Sequence, residues 1–389
     1  MTCCKLSTSL GLCSLFLLTL WILLDLFDVR TDTLGHAHNF FSGISSSAIH
    51  GLYAPDLVLD DRNCPPEDGT VLPTRLWLWW TSPVGGPTPS SAGPFLQACY
   101  ASMQRHAASS GFTVTLVNSS ATRGPDAPFP LVRYPLPPYF DELPVNHQGD
   151  FGSFAVLAEY GGLYLDTDVL VLHDLSPFIN LLKRFQFIGF GGHIYDEGVH
   201  HGLMVARPDA EILARAYHAA LSVYEQEGGC AGSKCAHIEG LHWLSTLDAF
   251  SREAKVLHRL QDKPSSSCAY ARLPTRHFEP GMHEHQNYCS DRVNDAFRAA
   301  LASSDGLSRD SEAERFLAST MAASISGALR VTHLSTTKSL PASLNNCPLL
   351  NFLISVSEGS PNITVLRKVS SYATGAWEQV VQDFSPRLQ

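Results

Sequence analysis

The stretch LYLDTDVLVL at residues 163–172 narrows the choice of fold more than any other. It is an apolar, strand-like run broken by two carboxylates, Asp166 and Asp168, and a glycine pair, Gly161-Gly162, precedes it. Upstream, residues 146–160 carry Phe151, Phe154, Ala155, Leu157 and Ala158 at helical spacing, and the two glycines stop that helix. A helix, a sharp turn and a buried strand with acids at its end is the unit of an α/β sheet, where ligands collect outside the carboxyl ends of strands. The segments before it agree. RLWLWW at 75–80 lies between Pro73 and Pro83 and reads as a buried strand, 95–108 as a helix, and FTVTLV at 112–117 as a second strand. This β-α-β opening predicts an α/β domain with parallel strands. Beyond the acids, the apolar segments 185–192 and 202–206 follow. Asp209 is expected to cap a helix running to about Tyr224, residues 312–323 look helical, and ALRVTHL at 328–334 looks like a strand.

The N-terminus sets the compartment. Residues 6–24 contain no charge, and a helix of that length spans a bilayer's hydrocarbon core. Lys5 precedes the run, while Asp25 and Asp28 follow it, so the positive-inside bias puts the short tail in the cytosol. A cleaved signal peptide is the alternative, but no small-x-small cleavage site follows. The expected layout is a tail at 1–5, a signal-anchor at 6–27, a stem at 28–70, a catalytic domain at 71–345 and an extension at 346–389. Both readings send the chain into the secretory pathway, as a type II protein of the Golgi or ER membrane with its bulk in the lumen. Seven cysteines lie beyond the apolar run, an odd number, and Cys230 with Cys235 is the best local disulfide pair. Sequons at Asn118 and Asn362 are compatible with glycosylation there. The net charge of -10 argues against a nucleic-acid partner, whose footprint would be basic.

On a continuing strand Asp166 and Asp168 would share one face, and paired carboxylates are costly unless a cation joins them. Mn²⁺ or Mg²⁺ suits that role, because hard cations take carboxylate oxygens and keep positions open for phosphate. A DxD on a solvated turn would mean little. Inside an apolar run it points to a ligand.

The block HQGDFGSFAVLAEYGGLYLDTDVLVLHDLSPF resembles the core signature of glycosyltransferase family 32, the group with a sugar-binding region containing a DXD motif. Asp150, Leu157, Tyr160, Gly161, Gly162, Tyr164, Asp166, Asp168 and Val169 carry the likeness. RLWLWW, FEPG at 278–281 and VTHLSTTKS at 331–339 resemble flanking segments of that family. The resemblance implies a GT-A fold, Rossmann-like, and a retaining, metal-dependent transfer of a hexosyl or N-acetylhexosaminyl group. The donor would be a UDP- or GDP-sugar and the acceptor a glycan or glycolipid. It implies that Asp150 contacts the nucleotide's base or ribose, that Asp166 contacts the ribose or the metal through water, and that Asp168 is the main metal ligand. His333 is implied as a late metal or diphosphate ligand, and Tyr164, Gly161 and Gly162 belong to the donor-binding segment. The family places an arginine where this chain has Ser153. A bidentate cation is therefore missing from the diphosphate side unless Lys183, Arg184 or Lys338 replaces it.

Other candidates carry two readings each. Trp79 and Trp80 either stack on the base or belong to the core. His193, His200 and His201 read as exposed loop histidines, with acceptor contact as the alternative, and Asp196 and Glu197 share that loop. His283-Glu284-His285 lacks a third spaced ligand, and Glu239 reads as a helix cap. Two other functions compete: a catalytically silent nucleotide or glycan binder, motivated by Ser153, and a DxD phosphatase of the haloacid-dehalogenase type. The phosphatase pattern wants Thr or Val where Leu170 stands.

Overall fold

The computed structural model describes residues 57–58, 71–81, 89, 92–183, 185–192, 196–237, 250, 252–253, 270–274, 278, 288–302, 331–333 and 347–360, with isolated positions between 311 and 329. The expected signal-anchor, His193, Glu239, the His283-Glu284-His285 cluster, Arg184, Lys338 and Asn362 lie outside these residues. Among the described residues no helix is long and apolar enough to cross a membrane.

In chain order the elements are β1 (Leu57–Val58), β2 (Arg75–Trp79), α1 (Pro94–Ser109), β3 (Thr113–Val117), α2 (Ser119–Thr122), α3 (Val145–Tyr160), β4 (Gly162–Leu165) and β5 (Val169–Val171). Then come α4 (Ser176–Leu182), β6 (Phe187–Gly192), β7 (Asp196–Ala206), α5 (Glu211–Gln226), β8 (Cys230–Ala231) and β9 (Lys234–Cys235). The last are β10 (Tyr270–Pro274), α6 (Asp291–Ala302), β11 (Val331–His333) and α7 (Pro348–Ser357). A mixed seven-stranded sheet runs in the order β1-β10-β6-β7-β4-β2-β3, so the molecule is of the α/β class expected.

β2 sits between β3 and β4 and is parallel to both. The chain leaves β2 for β3 on one side and returns through α3 to β4 on the other. Strand order thus reverses between β2 and β4, and their carboxyl ends open the crevice in which α/β sheets bind ligands. Asp166 is the first residue after β4.

Alternation along the strands divides the core into two layers. Leu76, Leu78, Leu163, Leu165, Leu203 and Val205 face α1, α4, α6 and α7. Trp77, Trp79, Tyr164 and Met204 face α3 and α5. α3 is sequestered on every side from Phe151 to Ala158, more than the single apolar face its periodicity suggests. A helix apolar all round belongs in an interior. Gly152 lets it lie directly on β2, since a Cβ there would stand 2.4 Å from the Trp79 ring.

Within the expected stem, β1 pairs antiparallel with β10 at the sheet edge. Within the expected extension, Leu349, Leu350 and Leu353 of α7 are buried in the core, and Cys347 is bonded to Cys289. Asp209 does not cap α5, which begins after Ala210. It adopts φ 58° and pairs instead with Arg133. His200 and His201 are not in a loop but within the eleven-residue β7. The expected Cys230–Cys235 disulfide is present, closing the β8-β9 hairpin, and Cys99 is free and buried.

Candidate functional site

Asp166, Thr167 and Asp168 do not continue β4. The Val169 N–H donates to the Asp166 carbonyl at 3.1 Å, closing a turn. The chain then leaves the main sheet, because β5 pairs with β11 in a separate two-stranded ladder. The shared strand face expected of the two carboxylates is therefore replaced by a tight corner at the crevice. The Asp166 N–H donates to the Gly202 carbonyl of β7 at 2.9 Å, which fixes the corner to the neighbouring strand.

The acids gather around one phenol. Tyr164 donates its hydroxyl to Oδ1 of Asp166 at 3.1 Å, and a Cβ on Gly149 of α3 would lie 3.6 Å from that oxygen. Burial pushes the Tyr164 phenol well above its usual range, and the nearby charges of Asp166, Asp150 and Asp168 push it further. The phenol thus stays protonated and remains a donor. Asp168 is buried, and after desolvation it is the second cause that raises the Cys99 thiol of α1. The turn therefore carries negative charge toward both layers of the molecule.

Of the three carboxylates whose charges bear on this phenol, Asp166 is hydrogen-bonded to it. Among the described residues no three His, Cys, Asp or Glu side chains are grouped to hold a metal by themselves. A donor set of one or two carboxylates completed by phosphate oxygens is the usual pattern for Mg²⁺. The backbone of β11 aligns His333 with Val169, next to Asp168 in the chain.

Other predicted residues fall elsewhere. Gly161 and Gly162 stand at the opposite end of β4, roughly 13 Å along the strand from Asp166. They have positive φ, and a Cβ would collide with Pro208 and the Ala206 carbonyl at Gly161, or with the Arg75 carbonyl at Gly162. The Trp77 indole donates to the Gly161 carbonyl at 2.7 Å. This glycine pair shapes a buried turn and does not face the crevice. Trp79 is core: it is 4% exposed and packed edge-on against Phe140. Trp80 follows β2 and is largely buried, close to Thr167, Leu96 and Tyr100. Tyr164 is 2% exposed, so it supports Asp166 from below. Ser153 is fully buried and donates to the Asp150 carbonyl at 2.7 Å, so its side chain turns back onto its own helix. Lys183 follows α4 and leads into β6, whose first residue aligns with Ala206 at the far end of the sheet. It does not replace the missing arginine.

Sequence reasoning missed the contribution of β7. Between Met204 and His200 the ladder with β6 shifts register, a bulge of the kind that re-aims side chains beside active sites. The Gly202 N–H released there donates to Nδ1 of His200 at 2.8 Å. His201 turns toward α3, with Nδ1 3.4 Å from Oδ1 of Asp150. The sequence offered little signal for it, since the apolar run GLMVA begins only after the two histidines.

Residues 96–186, from α1 through the acid turn to the threshold of β6, match the family model for a glycosyltransferase sugar-binding region containing a DXD motif. This region is glycosyltransferase-like. Among solved structures, a PaToxG glycosyltransferase aligns with 61% of this chain and 80% of its own at 12% identity, with a TM-score of 0.32. No curated protein matches the chain.

Proposed function

We propose that the protein is a retaining glycosyltransferase of family 32 with a GT-A fold. It would take a hexosyl or N-acetylhexosaminyl group from a UDP- or GDP-sugar and pass it to a glycan or glycolipid. The observation that carries this reading is the Asp166–Asp168 turn at the strand-order reversal, inside the segment that matches the DXD sugar-binding model. Asp168 and Asp166 would hold Mn²⁺ or Mg²⁺, with His333 as a further ligand. When bound, that ion neutralises charge on the departing nucleoside diphosphate. Asp150 binds the nucleoside, Tyr164 holds the Asp166 carboxylate in place, and Trp80 flanks the crevice. The apolar run at residues 6–24 supports anchoring in a Golgi or ER membrane with the domain in the lumen.

A second reading, binding without turnover, is favoured by Ser153, whose buried hydroxyl is committed to its own helix. The two separate in one experiment. The full chain is incubated with Mn²⁺ and a panel of UDP- and GDP-sugars, and both nucleotide binding and donor hydrolysis are measured. Hydrolysis of one donor supports the transferase. Binding with no hydrolysis of any donor and no transfer supports the silent binder.

A further inference from the structure

His201 and Gly202 are consecutive residues of one bulge, and each holds a different acid of the site. Gly202 does so through its backbone, accepting the Asp166 N–H at 2.9 Å. The His201 side chain reaches α3, where Nδ1 stands 3.4 Å from Oδ1 of Asp150, with the two side chains 7% and 21% exposed. The imidazole has little freedom to point elsewhere. It is wedged edge-to-face against Phe154, with centroids 4.9 Å apart, and against Phe250 at 5.5 Å.

Nε2 of His201 is buried and has no hydrogen-bond partner among the described residues. A phenyl ring would fill an aromatic wedge without leaving a polar atom unsatisfied, so packing alone does not account for a histidine here. In the Nδ1–H tautomer the proton lies on the nitrogen that faces the carboxylate. That leaves Nε2 as a bare lone pair and avoids a buried, unpaired N–H. His200 next to it has the opposite arrangement, since its Nδ1 accepts the Gly202 N–H. Adjacent histidines with opposite tautomers fit a backbone bulge that serves two tasks.

We propose that His201 is a positioning residue for Asp150. Its Nδ1–H donates to the Asp150 carboxylate and holds it toward the Asp166–Asp168 turn, so that the nucleoside end of the donor is bound at a fixed offset from its diphosphate. This rests on the donor-site reading above. His201 touches no reacting atom and acts only through Asp150.

Two measurements on the full chain test it. The first is long-range ¹H–¹⁵N correlation of the histidine rings, with the His201 signals identified by their loss in His201→Asn. The expected result is the Nδ1–H tautomer, altered in Asp150→Asn. An Nε2–H tautomer would overturn the proposal. The second is a double-mutant cycle read by UDP and GDP binding in Mn²⁺. His201→Ala weakens binding about tenfold, as expected for losing a hydrogen bond to a charged group, and His201→Asn, which keeps a donor, recovers most of it. In the Asp150→Ala background, which leaves no acceptor for the ring, His201→Ala costs nothing further. Additive losses, or a loss that follows Tm in both His201 variants alike, would overturn the assignment. Should His201→Ala fail to fold, His201→Asn and the tautomer still decide. If the wild-type chain binds neither nucleotide, the donor reading fails, while the tautomer independently reports whether His201 holds Asp150.

Discussion

The Tyr164 hydroxyl donates to Oδ1 of Asp166 at 3.1 Å, from a ring that is 2% exposed on the α3 side of the sheet. The strand that delivers the acid thus also supplies its anchor two residues earlier. Tyr164→Phe removes only the hydroxyl. We expect a loss of about 1 kcal/mol in unfolding free energy, the usual net worth of such a bond. Mn²⁺-dependent nucleotide binding should fall by about three- to tenfold, because Asp166 gains rotamer freedom. Denaturant unfolding and calorimetry check the two effects separately.

Gly152 supports the same site through packing. With its Cβ position 2.4 Å from the Trp79 ring, Gly152→Ala must push α3 away from β2. Overpacking of this kind costs about 1–3 kcal/mol, and it displaces Asp150, which rides on the same helix. Urea denaturation should show the loss. Unchanged stability would mean that the helix can shift without strain.

Cys289 and Cys347 close a loop with a sequence separation of 58 residues and join the start of α6 to the start of α7. The chain-entropy model assigns a loop of that length about 4 kcal/mol. Replacing both cysteines with serine should lower unfolding free energy by about that amount. The Cys230–Cys235 pair spans a sequence separation of 5 residues, and its removal should cost clearly less.

His147 gives a pH dependence with a definite sign. Its ring, in the first turn of α3, is buried with Nδ1 3.1 Å from the Tyr224 hydroxyl of α5, and desolvation lowers its pKa below the ordinary 6.5, although the Asp150 charge opposes this. The unfolded chain therefore takes up a proton at a pH where the folded one does not. This contribution to stability is complete above about pH 6.5 and is lost as pH falls toward the folded value. Unfolding free energy measured between pH 7 and 5 should decline, and the decline should be shallower in His147→Gln. An equal slope in the variant would place the proton uptake elsewhere.

The alternation of strands and helices was legible because apolar runs such as RLWLWW and FTVTLV are bounded by prolines and glycines, and the observed β2, α1, β3 and α3 start or end within one or two residues of the expected positions. The acid pair was legible as a candidate, since charged residues within an apolar run are costly without a task, while Asp150 was named only by the family resemblance. The geometry of the pair was not legible. Whether Asp166–Asp168 continues a strand or turns a corner depends on β5 leaving the sheet to pair with β11, some 160 residues later in the chain, and local pattern carries no trace of that pairing. His201 was hidden for a similar reason. The glycines beside it suggest a loop, and only the pairing of β7 with both β4 and β6 makes it a strand. Gly161 and Gly162 show the reverse error. Their nearness to the acids in sequence suggested ligand contact, but four residues of extended chain carry them to the far end of β4.

The dependence of donor binding on a divalent cation held by Asp168 underlies every role proposed for the site. It is tested most directly by titrating UDP and GDP into the wild-type chain and into Asp168→Ala, each with and without Mn²⁺. The account predicts that the wild type binds one of the two nucleotides only when Mn²⁺ is present, and that Asp168→Ala weakens this by about a hundredfold or more. Equal, Mn²⁺-dependent affinity in the two proteins would contradict it.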